Sequence, residues 1–264
     1  MTKPSDGVTP TIAPSDHSAP MATPSDGVGV DPGDTAGGEP ESLNAVTVVK
    51  ILRRTYPEAK CELDFTTVFQ LLIATILSAQ STDRRVNQVT PVLFAQYPDP
   101  AALAAADVLD IERIIHSTGF FRVKAQSIIT ASQMIMTDFS GQVPRTLDRL
   151  TRLPSVGRKT ANVVLSDGFG VPAVTTDTHV IRLAHRLGWS SAKEPAAVEH
   201  DLCQLLPRRW WITMDHVVIW HGRRCCHAIR PACGVCPVAQ HCPSYGAGPT
   251  EPEVAARLLR GPRA

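Results

Sequence analysis

The sequence has no apolar run long enough to span a membrane; the longest, Val68 to Ala79, is too short and is interrupted by polar residues. It has no secretory signal either, because the N-terminus is acidic and lacks an apolar stretch. No segment shows convincing strand alternation, which argues against a sheet. The formal net charge is only +1 over 264 residues. Seven cysteines, an odd number with six in the C-terminal third, fit a disulfide framework poorly. These absences point to a soluble, cytoplasmic chain with no membrane partner, whose cysteines stay reduced or bind metal.

The near-zero net charge hides a split. Residues 1–41 carry seven acids against Lys3 alone, so the rest of the chain holds 25 of the 26 basic residues and 18 of the 25 acidic ones. That balance suits a nucleic-acid partner without proving one. Residues 1–42 repeat Pro-Ser-Asp at positions 4, 14 and 24 but contain nothing that could build a core. They read as a disordered acidic tail.

From Leu43 onward the apolar spacing is helical nearly throughout. Leu43, Val46, Val49 and Leu52 make one stripe; Val68, Leu71, Leu72, Thr75, Ile76 and Ala79 make a buried helix; Thr82 or Asp83 can cap the next. Further helices are expected at 101–105, 107–116, 122–138, 146–152, 158–167, 178–187, 195–205 and 211–221. The fold class is all-α.

Two stretches carry chemistry. In Leu153-Pro154-Ser155-Val156-Gly157-Arg158-Lys159-Thr160-Ala161, Pro154 and Gly157 punctuate a tight turn between two short helices. Such a turn aims free backbone N–H groups outward, where a phosphate can sit. Arg158 and Lys159 fall in the first helical turn, where the macrodipole favours acids, so a purely structural design would not choose them. Near the C-terminus, Cys226, Cys233, Cys236 and Cys242 follow the spacing C-x6-C-x2-C-x5-C. Spacing alone leaves iron–sulfur, zinc and no metal all open. Cys225 is an extra beside the first of them, and Cys61 and Cys203 read as core cysteines.

Together with Thr176-Asp177-Thr178-His179, these residues resemble the endonuclease III family of DNA base-excision glycosylases over roughly residues 43–245. The resemblance implies two helical lobes with a DNA groove between them. Residues 61–171 would form a six-helix lobe with the helix–hairpin–helix; 43–60 and 172–245 would form the iron–sulfur lobe; 246–264 would be a loosely held extension. It implies a [4Fe–4S] cluster on the four cysteines, acting as a covalent clamp that places His227 and Arg230 near phosphate. It also implies Lys159 as a Schiff-base nucleophile with Asp177 as acid/base and electrostatic partner. The partner would be duplex DNA carrying oxidised pyrimidines or abasic sites, bound by a monomer. Gln80 would enter the gap left by an extruded base, Phe120 would act as an apolar wedge, and Ser78 and Asp83 would line the pocket. Pro154, Val156, Gly157, Arg158, His179 and Arg230 would meet the DNA backbone.

Plainer readings stay open for single residues. Lys159 could only bind phosphate, Asp177 could only cap the helix from Thr178, and Phe120 and Phe121 could be core aromatics. An adenine-mismatch glycosylase, a zinc-knuckle DNA-binding module and an inactive paralogue remain alternatives. Ser155 stands where the family hairpin has glycine; if that position needs positive φ, serine costs of order 1 kcal/mol. Ser155→Gly should then tighten binding to abasic DNA in a titration at fixed salt.

Overall fold

The computed structural model describes residues 41–261, so the acidic tail read from residues 1–42 lies almost wholly outside the described residues. Among those described there is no strand, and the helices run α1 Glu41–Thr55, α2 Val68–Leu77, α3 Asp83–Gln96, α4 Pro100–Ala104, α5 Val108–Ile115 and α6 Phe121–Asp138. They continue with α7 Leu147–Leu150, α8 Arg158–Val163, α9 Thr178–Arg186, α10 Pro195–Leu205, α11 Trp211–Arg224 and α12 Pro252–Ala256. The all-α class stands, and no described helix is long and apolar enough to cross a membrane.

Two separate cores explain the two lobes. α2 is apolar on nearly every face, with Phe69 and Leu71 through Leu77 all buried, which is the pattern of a helix surrounded by others. Around it pack Val86, Leu93, Ile111, Ile128, Ile135, Leu150 and Leu165 from α3 and α5 through the segment after α8. The second core joins Ala45, Val48, Val49 and Leu52 of α1 to Leu183, Leu202, Met214 and Val218 of α9, α10 and α11. The chain thus begins in one lobe, builds the other, and returns through residues 169–177. The buried face of α1 is the Ala45–Val48–Val49–Leu52 stripe; Val46, expected in it, is only half-buried.

Caps set the ends that matter for the site. The Thr67 hydroxyl accepts from Gln70 N–H and the Thr82 hydroxyl from Arg85 N–H, so Thr82 and not Asp83 caps α3. α8 does not continue to 167 as a regular helix. It passes into a π-helical turn over Val164–Gly168, a wider winding that redirects the side chains after it.

The C-terminal segment is not loose. Ala255 of α12 is fully buried, Arg260 N–H donates to the Arg224 carbonyl, and Gly234 N–H donates to the Pro249 carbonyl. The packing is so close that a Cβ on Gly234 would collide with the Thr250 carbonyl, and one on Gly248 with that of Pro231. Short apolar side chains at Ala232 and Ala255, with the tail's own backbone hydrogen bonds, hold what its polar composition led one to expect free.

Candidate active site

Helix α7, the bend at 151–157 and α8 form the hairpin. Gly157 precedes α8 without a side chain to cap it, so the first N–H groups of that helix have no side-chain acceptor. Ser155 takes φ 59°, the left-handed conformation that a serine adopts at a cost. Its hydroxyl lies 2.7 Å from that of Ser127 on α6, which offsets the strain. Ser155→Gly is therefore expected to leave stability within about 0.5 kcal/mol, whereas Ser155→Ala keeps the strain, loses the bond and costs about 1 kcal/mol in urea denaturation.

Two hairpin residues sit differently from expectation. Val156 is 5% exposed in the first core and its N–H is taken by the Leu153 carbonyl, because apolar burial wins at that position; it fixes the bend and does not face solvent. Arg158 turns across to the other lobe, where its guanidinium donates to both carboxylate oxygens of Glu199 at 2.6 and 2.9 Å. That bidentate pair leaves it a bridge between lobes more than a free phosphate ligand. Pro154 is half-buried, and Gly157 and Lys159 are exposed.

Lys159 and Asp177 come together. Both line a cavity of about 90 Å³ between the lobes, with Ser78 and Asp83 from the first lobe and Trp220 and Arg223 from the second. Asp177 caps α9, its Oδ1 accepting from the N–H groups of His179 and Val180 at 2.8 Å each. Those two bonds fix the carboxylate in place. The His179 imidazole lies 3.1 Å from the Arg182 guanidinium, and only its backbone meets Asp177. Burial holds it below the usual histidine range, against the pull of Asp177. Ser78 donates to the Thr75 carbonyl, and Asp83 accepts from Arg223, which also pairs with Glu62.

Sequence reasoning missed three polar groups around this cavity. Asp215, fully buried, accepts the Thr175 N–H with one oxygen while the other has no partner among the described residues. Burial, with Asp177 and Asp167 nearby, pushes its carboxyl well above the usual range. The Asp167 carboxylate accepts from His216 Nε2 at 2.6 Å. Nothing in the chain pattern marks an aspartate 49 positions from a histidine as its partner.

Gln80 and Phe120 are both exposed and both left-handed, at φ 52° and 47°. Of four non-glycine residues with positive φ among those described, these two and Ser155 are three. Such strain persists only where surrounding structure enforces it. Here Lys124 does so: its buried ammonium donates to the Leu77 and Thr118 carbonyls, both at 2.8 Å, tying the loop before Gln80 to the loop before Phe120. Phe120, at 66% exposure, is not a core aromatic.

The residues that could hold a metal lie at the far end of the second lobe. Cys226, Cys233, Cys236 and Cys242 line one small cavity, with Cys225 also facing it. Four sulfurs around one apolar-walled space fit an iron–sulfur cluster. An alternative trio, His221, Cys225 and Cys236, brings its donor atoms within 4.8 Å of one another, but it omits Cys226, Cys233 and Cys242, three of the five cysteines around the cavity. The loop is anchored to α9 by arginines that the sequence reading passed over. Arg182 donates to the carbonyls of Gly222 and Cys226, and Arg186 to the Cys226 sulfur and the carbonyls of His227 and Ala228. The ring of His227, expected to meet phosphate, instead lies 2.8 Å from the Leu258 carbonyl. Arg230 is exposed and rims a groove of about 550 Å³ that also takes in His179, Arg182, Arg223, Arg257 and Arg260.

Residues 73–208 match the family model described as HhH-GPD superfamily base excision DNA repair protein, and residues 226–242 match the iron-sulfur binding domain of endonuclease III. The second match begins at the first predicted cysteine ligand and ends at the fourth. Endonuclease III of Synechocystis is 52% identical over 201 residues, 76% of this chain and 92% of that protein. Endonuclease III of Escherichia coli is 38% identical over 191 residues, 72% and 90% of the two chains. A solved endonuclease III–DNA covalent intermediate superposes with a TM-score of 0.73 at 40% identity, covering 77% of this chain and 96% of its own. A thermostable thymine-DNA glycosylase, 19% identical with a TM-score of 0.70, shares the fold.

Proposed function

This chain belongs to the endonuclease III family of base-excision DNA repair proteins and is a DNA glycosylase with abasic-site lyase activity, and we propose that it excises oxidised pyrimidines with Lys159 as nucleophile and Asp177 as partner. The observation that carries the assignment of roles is that an amine from the hairpin of one lobe and a carboxylate capping α9 of the other line a single cavity.

The Lys159 amine attacks C1′ of the extruded nucleotide; the C1′–N bond breaks and the base leaves with its electron pair, taking a proton. The positive charge that gathers on the sugar is stabilised by the Asp177 carboxylate. Loss of one proton from the attacking nitrogen frees a lone pair that expels O4′ as the sugar ring opens, O4′ taking up a proton, and a protonated C1′ imine results. A base then removes a C2′ proton, and the electrons of that bond expel the 3′ phosphate, nicking the strand by β-elimination. Hydrolysis of the imine frees the lysine. Asp177, which caps α9 at the edge of the cavity, is the carboxylate assigned to carry protons in these steps.

Gln80 fills the gap in the duplex, its amide offering a donor and an acceptor to the orphaned base, and Phe120 stacks as the wedge. Ser78 and Asp83 form the wall of the pocket, while the backbone around Pro154 and Gly157, with His179 and Arg230, meets phosphates. The iron–sulfur cluster, held by Cys226, Cys233, Cys236 and Cys242, supplies a covalent cross-link that fixes the loop carrying Arg230. The protein acts as a monomer on nucleoid DNA in the cytoplasm. Borohydride reduction during reaction with duplex DNA containing thymine glycol tests the reading: a covalent protein–DNA adduct is expected, and its absence with the intact protein sinks the Schiff-base mechanism.

A further inference from the structure

The mechanism above leaves unused the Asp167–His216 pair, which lines the same cavity. The π-helical turn after α8 carries Asp167, so Lys159, Val163, Ser166 and Asp167 all reach the cavity from one continuous stretch. His216 comes from α11 in the other lobe, and the two side chains are 19% and 12% exposed, His216 the more open.

In a neutral imidazole the hydrogen shared with the Asp167 carboxylate sits on His216 Nε2, and Nδ1 then carries a lone pair. Nδ1 has no hydrogen-bond partner among the described residues. Of the other polar groups of the cavity, Ser78 donates to the Thr75 carbonyl, Asp83 and Glu62 pair with Arg223, and Asp215, fully buried, accepts from Thr175 with one oxygen and has no partner for the other among the described residues. The nearby Cys61 thiol is pushed up to about 12 by burial and stays neutral. Val163, Ile219 and Trp220 supply an apolar wall.

A base drawn from the helix loses its pairing partners, and a buried N–H without an acceptor is costly. A thymine- or uracil-derived ring carries one such imide N–H. We propose that the Asp167–His216 pair is the base-reading part of the cavity, His216 Nδ1 accepting the imide N–H of a thymine- or uracil-derived lesion. Asp167 is a positioning residue that holds the imidazole in the accepting tautomer. This rests on the function proposed above and names the substrate class it favours.

The test compares two duplexes in single-turnover kinetics, identical except that one carries thymine glycol and the other a preformed abasic site. Only the first offers a base to read. His216→Ala is expected to lower excision of thymine glycol about ten-fold while abasic nicking changes by less than about two-fold. His216→Asn places an amide oxygen close to where Nδ1 was and should restore most of the loss; His216→Gln, whose amide lies where Nε2 was, should not. Asp167→Ala is expected to lower the ratio of excision to nicking in the same direction. On 5-hydroxycytosine, which lacks the imide N–H, His216→Ala should cost less than on thymine glycol. Equal losses on both duplexes, or equal rescue by Asn and Gln, would overturn the base-reading role alone. Failure of the unsubstituted protein to nick the abasic duplex would overturn the lyase mechanism, and with it this inference.

Discussion

Lys159→Ala is expected to abolish the borohydride-trapped adduct and to lower strand nicking by at least about 10³-fold, because the amine that forms the imine is gone. Lys159 is exposed on the first turn of α8, so its truncation should change stability by no more than about 0.5 kcal/mol and the loss cannot be blamed on unfolding. Lys159→Arg separates the two roles a lysine could have here. Arginine keeps the cation and would serve a phosphate at least as well, but its guanidinium never loses its proton and cannot act as the nucleophile. The arginine variant should therefore bind abasic duplex nearly as the parent does and yet trap nothing. If Lys159→Arg nicks DNA within about ten-fold of the parent, the residue is a phosphate ligand and the imine mechanism is wrong.

Asp177→Asn should lower excision of thymine glycol by at least about 10²-fold with little loss of stability. The structure makes that separation possible. Asp177 Oδ1 caps α9 through two backbone N–H groups, and an asparagine oxygen can accept the same bonds, so the helix start survives. What goes is the negative charge facing the sugar. Asp177→Ala removes charge and cap together and should cost about a further 1 kcal/mol in urea denaturation. The pair of variants decides between the two readings of this residue. Should Asp177→Asn retain full activity while Asp177→Ala loses stability and activity in parallel, capping is its whole role.

The residues proposed for these roles stand out in the chain for a reason that is local. A hairpin lysine, a capping aspartate at the next helix and four cysteines within seventeen residues are each short-range patterns, and the resemblance rests on their order. The probing residues were legible in the same way, although their chain positions say nothing about how they are held. Gln80 and Phe120 keep left-handed backbones because one buried ammonium, on Lys124, reaches the carbonyls of two loops that are far apart in sequence. Val156 was read as part of the DNA face from its place in the motif. Burial in the first core put it inside, since the bend must turn one side chain inward to pack.

The sequence by itself determined the helical class and most helix limits, and it singled out the four cysteines and the Lys159–Asp177 pair that are found lining common cavities, because helix periodicity, caps and ligand spacing are set by neighbours within a few residues. Only the tertiary structure decided that Arg158 bridges to Glu199, that Arg182 and Arg186 clasp the cysteine loop, that α12 packs against it, and that Asp167 meets His216. Each of these joins groups from separate helices or lobes. A polar side chain's partner is whatever packing brings within about 3 Å of it, and that distance is unknown until both cores have formed.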